Sequence, residues 1–170
     1  MTMKLIVNDI EVNIGIELAS NIASYLNDNE GNQAIFHELA QHSSASIRKE
    51  IAYKDKISEE TTRLLLEDKD MSVINNILRS DPTKKIFNDD DFKRILESSN
   101  EEAIENIINN IDDFSSLNDV DECLDKIIAL NNDYLTLQIA NGYHTPKKIL
   151  KKLVKHNDPD ISREAKSNLE

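Results

Sequence analysis

Apolar residues recur along the chain in pairs that lie four positions apart. Ile47 and Ile51 form the first such pair, and Ile161 and Ala165 form the last. The pairs between them are Val73/Ile77, Ala103/Ile107 and Leu135/Ile139. Because residues four apart lie on one face of an α-helix, the pattern predicts five amphipathic helices of the same kind.

A small polar residue lies three positions before each apolar pair. The five residues are Ser44, Asp70, Asn100, Asn132 and Asp158. Such side chains accept hydrogen bonds from the free N–H groups of a helix's first turn, so each is predicted to begin a helix. A second apolar pair lies just upstream of each cap. These upstream pairs are Leu39/Ala40, Leu65/Leu66, Ile95/Leu96, Ile127/Ile128 and Leu153/Val154. They predict a preceding helix, so each copy is a helix hairpin.

Further start and stop signals support these hairpins. The predicted starts of the upstream helices are Ser58, Asp89, Asn118 and Thr145, with Pro146 at the first helical position. Gly142 is predicted to end a helix. Successive copies lie 26, 30, 32 and 26 residues apart. A short hairpin cannot bury its apolar face alone, so the copies should stack. The predicted fold is all-α, an α-α superhelix (solenoid) of about five helix-hairpin repeats over residues 33–170.

Residues 1–32 do not fit the repeat and are predicted to form an N-terminal capping segment. Lys4–Val12 has the composition of a short strand or an irregular lead-in, and Ile14–Leu26 has helical spacing. An atypical terminal unit usually covers the apolar end of a solenoid. At the other end, Ile161–Leu169 is predicted to be a last helix, with either a polar outer face or a docked partner.

The repeat resembles the HEAT-like and variant leucine-rich repeat families of bacterial α-solenoids. The resemblance lies in Ser46-Ile-Arg-Lys-Glu-Ile-Ala52, Leu135-Thr-Leu-Gln-Ile-Ala140 and Asp158-Pro-Asp-Ile-Ser-Arg163, and it covers roughly residues 33–169. It implies a solenoid in which the first helix of each hairpin lines the concave side. The chain departs from the families in its longer third and fourth units, in the missing arginine of units two to four, and in lacking a cysteine cluster. An iron–sulfur role is therefore unsupported.

Composition narrows the classes of function. The chain has 170 residues, 39% of them hydrophobic, and a net charge of −12. Its surplus of acids opposes binding to a phosphate backbone, so no nucleic-acid partner is expected. No apolar run is long enough for a membrane span, and Asn8 and Asp9 interrupt the only candidate for a secretory signal. The lone Cys123 rules out an internal disulfide, and a cytoplasmic location is the expectation.

Residue patterns typical of catalysis are missing from the sequence. The four histidines, His37, His42, His144 and His156, lie far apart and have no metal-binding spacing. In Asn27–Gly31 the glycine is wrongly placed for a calcium loop. Cys123 falls on an apolar stripe, which favours a buried thiol. We therefore expect no enzyme activity, no cofactor and no metal.

Charge changes sign along the chain. Residues 101–140 contain ten acids and one base, whereas residues 141–170 contain seven bases and four acids. Lys147 and Lys148 begin a predicted helix, where the helix dipole favours acids instead. The candidate protein-binding residues are Asp121, Glu122, Asp125, Lys147, Lys148, Lys151 and Lys155. The lysines can equally form a solvated face, or pair with the acids of the preceding repeat.

The first functional hypothesis is a non-catalytic protein–protein interaction module. In it the acidic residues steer a basic protein surface into the solenoid groove, and the lysines fix its orientation. A narrower version is a small inhibitor or immunity-type protein that neutralises a basic toxin or enzyme. The alternatives are a HEAT-like lyase or enzyme subunit, and nucleic-acid binding through the lysine helix. Association of identical chains through the solenoid ends is a further possibility that the sequence leaves open.

Overall fold

The computed structural model describes residues 3–170, and the first two residues of the predicted capping segment lie outside the described part. Contacts group the chain into two compact units, of which the first ends at Ile86 and the second runs from Phe87 to Glu170. The first unit begins with strands β1 (Lys4–Val7) and β2 (Ile10–Asn13), which form an antiparallel hairpin. Its helices are α1 (Ile16–Tyr25), α2 (Gln33–Ala40), α3 (Ala45–Ile51), α4 (Glu59–Leu66), α5 (Met71–Ile77) and α6 (Asp81–Ile86), with a 3₁₀ turn at Glu30–Asn32.

The second unit is entirely helical apart from its connections. Its helices are α7 (Asp89–Ser98), α8 (Glu101–Asn110), α9 (Val120–Ile128), α10 (Asp133–Asn141), α11 (Lys147–Leu153) and α12 (Pro159–Ser167). Five hairpins pack as predicted: α2 with α3, α4 with α5, α7 with α8, α9 with α10, and α11 with α12. Within each unit, first helices contact first helices and second helices contact second helices, as with α9 and α11 or α8, α10 and α12. The fold is an all-α solenoid of helix-hairpin repeats.

The predicted apolar pairs form the core of both units. All ten of their side chains are buried, from Ile47 at the first to Ala165 at the last. In the upstream pairs the first member is buried in every copy, but the second is only half-buried in Leu96, Ile128 and Val154. Adjacent helical residues differ in direction by about 100°, so the second member lies at the edge of the buried face.

Four of the five predicted caps are confirmed by their hydrogen bonds. The side chains of Asp70, Asn100, Asn132 and Asp158 each accept a backbone N–H of the following first turn. Ser44 is the N-terminal residue of α3, but its side chain forms no such bond. These contacts account for four of the five starts of the second helices.

The other predicted starts are correct once and displaced by one residue three times. Ser58 caps α4, but the caps of α7 and α9 are Asn88 and Asp119, one residue from the predicted positions. Pro146, rather than Thr145, precedes α11. The Thr145 hydroxyl instead donates to the carbonyl of Ile139, at 2.7 Å. At Asp89 and Asn118 the neighbouring residue can also cap, so local chemistry alone leaves the choice open.

A position that sequence reasoning missed lies two residues before each cap. There, a side chain accepts the backbone N–H of the capping residue in four repeats. The acceptors are His42 Nδ1, Asp68 Oδ1, Ser98 Oγ and His156 Nδ1, at 3.0, 2.8, 3.3 and 3.1 Å. Leu130 occupies this position in the remaining repeat. His42 and His156 therefore have a structural role in the turn of the hairpin.

The described part of the N-terminal segment, residues 3–32, is joined to the first repeat by reciprocal hydrogen bonds. The buried Lys54 ammonium donates to the carbonyls of Ser24 and Leu26, at 2.8 and 2.9 Å. In return, the Asp28 carboxylate accepts the backbone N–H groups of Asp55 and Lys56, both at 2.8 Å. These contacts fix the end of α1 against the turn that follows α3.

Among the described residues, no helix has both the length and the apolar content that crossing a bilayer requires.

Candidate protein-binding surface

The candidate surface is formed by two neighbouring first helices of the second unit. On α9, Cys123, Leu124 and Ile127 point into the core. On α11, Ile149, Leu150 and Leu153 do the same. The charged residues singled out in the sequence are among the remaining positions of these helices and the turn after α11. All three acids lie on α9, three of the four lysines lie on α11, and Lys155 lies in the turn that follows.

Lysines of α11 reach across to acids of α9 through two parallel ion pairs. Lys148 Nζ lies 2.9 Å from Asp121 Oδ2, and Lys152 Nζ lies 2.5 Å from Asp125 Oδ2. Both pairs join residues 27 positions apart, and a step of four residues on one helix matches a step of four on the other. The hydrogen bond to Asp121 raises the pKa of Lys148 above its ordinary value. Because a four-residue step on one helix matches a four-residue step on the other, the two helices run side by side in the same direction.

The third acid of the set is paired within its own helix. Glu122 Oε1 lies 2.7 Å from Lys126 Nζ, at the i,i+4 spacing that favours such a pair. This hydrogen bond raises the pKa of Lys126 above its ordinary value. All three predicted acids of α9 thus have a lysine partner inside the chain.

The alternative of internal pairing with the preceding repeat is confirmed for Lys148. The sequence did not predict the second inter-helix pair, because the partner of Asp125 is Lys152, which was not among the candidates chosen from the sequence. In both pairs the lysine lies 27 residues after the acid. This constant offset is the signal that could have identified Lys152.

Of the five lysines in α11 and the turn after it, three are without a partner in the described part of the chain. Lys147, Lys151 and Lys155 are exposed, and no described acid forms a hydrogen bond or ion pair with them. We call these residues the free lysine row and call Lys148 and Lys152 the paired lysine row. The structure thus divides a lysine-rich helix into two rows with different surroundings.

Other candidates for chemistry are accounted for by local contacts. His144 Nδ1 lies 3.1 Å from Asp112 Oδ2 on the exposed surface, and His37 Nδ1 lies 3.0 Å from the Thr61 hydroxyl. Burial raises the pKa of the Cys123 thiol to about 11. Within residues 3–170, His, Cys, Asp and Glu form no group of three or more that could hold a metal ion.

Comparison with known proteins adds two structural similarities. Neither a protein-family model nor a curated protein matches the chain. A designed armadillo repeat protein in complex with the peptide (KR)4 is 18% identical, covers 90% of this chain and 89% of its own, and has a TM-score of 0.42. Another designed armadillo repeat protein, also 18% identical, covers 89% of each chain with a TM-score of 0.36. These values are too low for either structure to indicate a function for this chain.

Proposed function

We propose that this chain is a non-catalytic protein-binding module whose contact surface is formed by α9 and α11. One observation supports the proposal above all others. In a chain with a net charge of −12, the free lysine row is exposed and unpaired beside acids that are already paired. An exposed charge without an internal partner can form a contact across an interface without first breaking an ion pair inside the chain.

The paired lysine row has a supporting role in this proposal. Lys148 and Lys152 connect α11 to Asp121 and Asp125 on α9. Exposed pairs of this kind contribute little to stability, but they restrict where the side chains point. The seven candidate residues and Lys152 would then act as one surface, in which Asp121 and Asp125 position the paired lysine row and the free lysine row contacts the partner.

The resemblance to HEAT-like and variant leucine-rich repeats supports the same class of function. Stacked helix hairpins expose a long, rigid face without requiring a catalytic cleft, and such faces commonly bind other proteins. The inhibitor or immunity-type alternative, with a basic partner, is favoured by a different observation. Residues 87–170 contain 18 acids against 10 bases, so a basic surface would be attracted to this unit at long range.

The proposal is tested by a pull-down from native cell extract. Three versions of the full chain are compared for the binding partners that they capture. One is the wild type, and the second has Lys147→Glu, Lys148→Glu, Lys151→Glu and Lys155→Glu. The third is a control with the same change in net charge at lysines outside α9, α11 and the turn after α11. These control changes are Lys56→Glu, Lys69→Glu, Lys93→Glu and Lys166→Glu. Captured proteins are identified by mass spectrometry, and binding is repeated with the purified partner by calorimetry.

We expect a partner that binds the wild type and the control but not the α11 variant. Circular dichroism must show equal helicity for the three chains, because a folding defect would also abolish binding. If a purified partner binds the wild type and the α11 variant equally, α11 is not the contact surface. If charge reversal of Asp121, Glu122 and Asp125 abolishes binding while the lysine changes do not, the basic-partner alternative is correct.

A further inference from the structure

The free lysine row has a regular spacing. Lys147, Lys151 and Lys155 follow one another at four-residue steps, with the first two on α11 and the third in the turn after it. At the helical rise of about 1.5 Å per residue, Lys147 and Lys151 are about 6 Å apart along the axis of α11. A ligand whose anionic groups repeat at about this interval would match these two lysines, and Lys155 extends the row at the same sequence spacing.

The acids closest in sequence to this row are already engaged elsewhere. The Asp158 side chain accepts two backbone N–H groups at the start of α12. Asp160 Oδ1 lies 2.6 Å from Arg163 Nη1. On α9, Asp121 and Asp125 are occupied by the paired lysine row. The positive charge of the free lysine row is therefore not cancelled by an ion pair with any of these groups.

We propose that the free lysine row binds an acidic protein segment whose carboxylates are spaced about 6 Å apart. This inference rests on the proposed function and adds the sign and spacing of the partner's charges. A carboxylate every second residue of an extended segment repeats at about 6.6 Å, and one every fourth residue of a helix repeats at about 6 Å. Both arrangements match the row, and its charge is complementary to both.

A phosphate backbone fits this surface less well than an acidic segment. Binding to nucleic acid depends on the release of many counterions by many cationic contacts. The row supplies three lysines, whereas the unit that contains it has 18 acids and 10 bases. A long polyanion would extend beyond the row and meet this acidic surface. A short acidic segment can end where the lysines end.

Fluorescence anisotropy with probes of defined sequence tests the inference directly. The probe is a labelled peptide in which glutamate alternates with serine, titrated with the full chain at low salt. The comparison probes are the same peptide with lysine in place of glutamate, and a single-stranded oligonucleotide of equal charge. The test variant combines Lys147→Gln, Lys151→Gln and Lys155→Gln. The matched control combines Lys56→Gln, Lys69→Gln and Lys166→Gln, which removes the same charge from other exposed lysines.

The wild type and the control should bind the glutamate peptide, and the test variant should bind it about tenfold more weakly, the equivalent of three weak exposed pairs. Failure of the glutamate peptide to bind overturns the inference, as does equal binding by the test variant. Oligonucleotide binding as tight as peptide binding would also overturn it, since the row would then attract any anion.

The outcome is separable from that of the proposed function. If a purified natural partner requires the α11 lysines but is not displaced by the glutamate peptide, the module function stands and the acidic-segment inference is wrong. If the lysine peptide binds and the glutamate peptide does not, the sign of the partner is opposite to the one inferred. If neither partner capture nor peptide binding depends on α11, both proposals are wrong.

Discussion

Asp68 connects two neighbouring hairpins of the first unit through a single buried carboxylate. Its two oxygens accept hydrogen bonds from Arg48 Nε and Nη2, at 2.5 and 2.8 Å. Oδ1 also accepts the backbone N–H of Asp70. The side chains of Arg48 and Asp68 are only 7% and 6% exposed. The bidentate pair fixes α3 against the turn between α4 and α5, and the bond to Asp68 raises the pKa of Arg48.

Replacing one partner of this pair should be far more damaging than replacing both. Arg48→Met leaves the Asp68 charge buried and unpaired, and we expect a loss of about 3–5 kcal/mol in the free energy of unfolding. The double variant Arg48→Met/Asp68→Asn removes both charges but keeps an acceptor for Asp70, so it should recover the part of the loss caused by the unpaired charge. It does not restore the hydrogen bonds that Arg48 Nη1 donates to the carbonyls of His42 and Ser43. Urea denaturation measures all three chains. Equal losses in the single and double variants would contradict the argument.

Cys123 illustrates how burial decides the reactivity of a thiol. The side chain is 4% exposed. Burial, followed by the negative charge of Asp89, raises its pKa from 9.0 to about 11. Since only the thiolate is nucleophilic, the folded protein should react with iodoacetamide about a hundredfold more slowly than the unfolded chain near neutral pH. Mass spectrometry of labelling with and without guanidinium chloride checks this, and rapid labelling of the folded chain would contradict it.

The same shift in pKa predicts how stability depends on pH. The thiol is harder to ionise in the folded chain, so its contribution is complete below pH 9.0 and is lost as pH rises towards about 11. In Cys123→Ala this dependence is removed. The difference in unfolding free energy between wild type and variant should therefore be constant at lower pH and should change only above about pH 9.

At the scale of elements, the N-terminal caps explain why the repeat can be read from the sequence. Asn100, Asn132 and Asp158 each bind an N–H group of the turn that follows them, a contact that needs only three or four residues. Ser44 has the same position but not the same bond. The N–H of Ser44 is bound by His42, as the N–H groups of Asn100 and Asp158 are bound by Ser98 and His156, but only Asn100 and Asp158 also cap a helix with their side chains. One sequence signal thus corresponds to two different local structures.

Alanine substitution of the caps distinguishes these two structures. Asn100→Ala, Asn132→Ala and Asp158→Ala should each lower the free energy of unfolding by about 0.5–2 kcal/mol. Ser44→Ala should change it by less than about 0.5 kcal/mol, because its side chain caps nothing. Thermal and urea denaturation of the four variants measure the differences. A cost for Ser44→Ala equal to the others would show that the hydroxyl caps α3 in solution.

The N-terminal segment remains, in our proposal, the cap of the first repeat. Lys54→Met removes the ammonium that binds the carbonyls of Ser24 and Leu26 but retains an apolar side chain of similar length. We expect faster amide hydrogen exchange in α1 and unchanged exchange in α10, which lies in the other unit. Lys56→Met is the matched control, since its side chain is exposed. Unchanged exchange in α1 would mean that Lys54 does not hold this segment.

At the scale of the whole molecule, net charge is the dominant electrostatic feature. A charge of −12 on 170 residues disfavours the compact state through self-repulsion. The exposed ion pairs of α9 and α11 oppose this only weakly. Added salt screens repulsion among exposed charges, with a Debye length of about 4 Å near 0.5 M.

Salt should therefore stabilise this protein. We expect a higher thermal midpoint in about 0.5 M sodium chloride than at low ionic strength, because screening removes more repulsion than attraction. Calorimetry at several salt concentrations measures the midpoint. The variant Lys148→Gln/Lys152→Gln, which lacks the two inter-helix pairs, should show the larger increase. A midpoint that falls with salt would mean that the ion pairs outweigh the net repulsion.

The sequence showed that the third and fourth repeats are longer, but not which segments lengthen them. Helix α6 has six residues and a single apolar residue, Ile86, which is too little to show a period. It lengthens the third repeat, whereas residues 111–119 lengthen the fourth. Its buried Thr83 donates to the carbonyl of Ile77, at 2.7 Å, a contact that only the packed chain reveals.

The sequence by itself determined the five hairpins, their buried residues and most of their caps. Apolar spacing and capping act within one or two turns, so they can be read independently of neighbouring segments. Only the tertiary structure decided which lysines of α11 are paired. Lys147 and Lys148 are adjacent and chemically identical, and the packing of α11 beside α9 brings Lys148 to Asp121 and leaves Lys147 in solvent. Their different surroundings follow from about 100° of rotation around one helix.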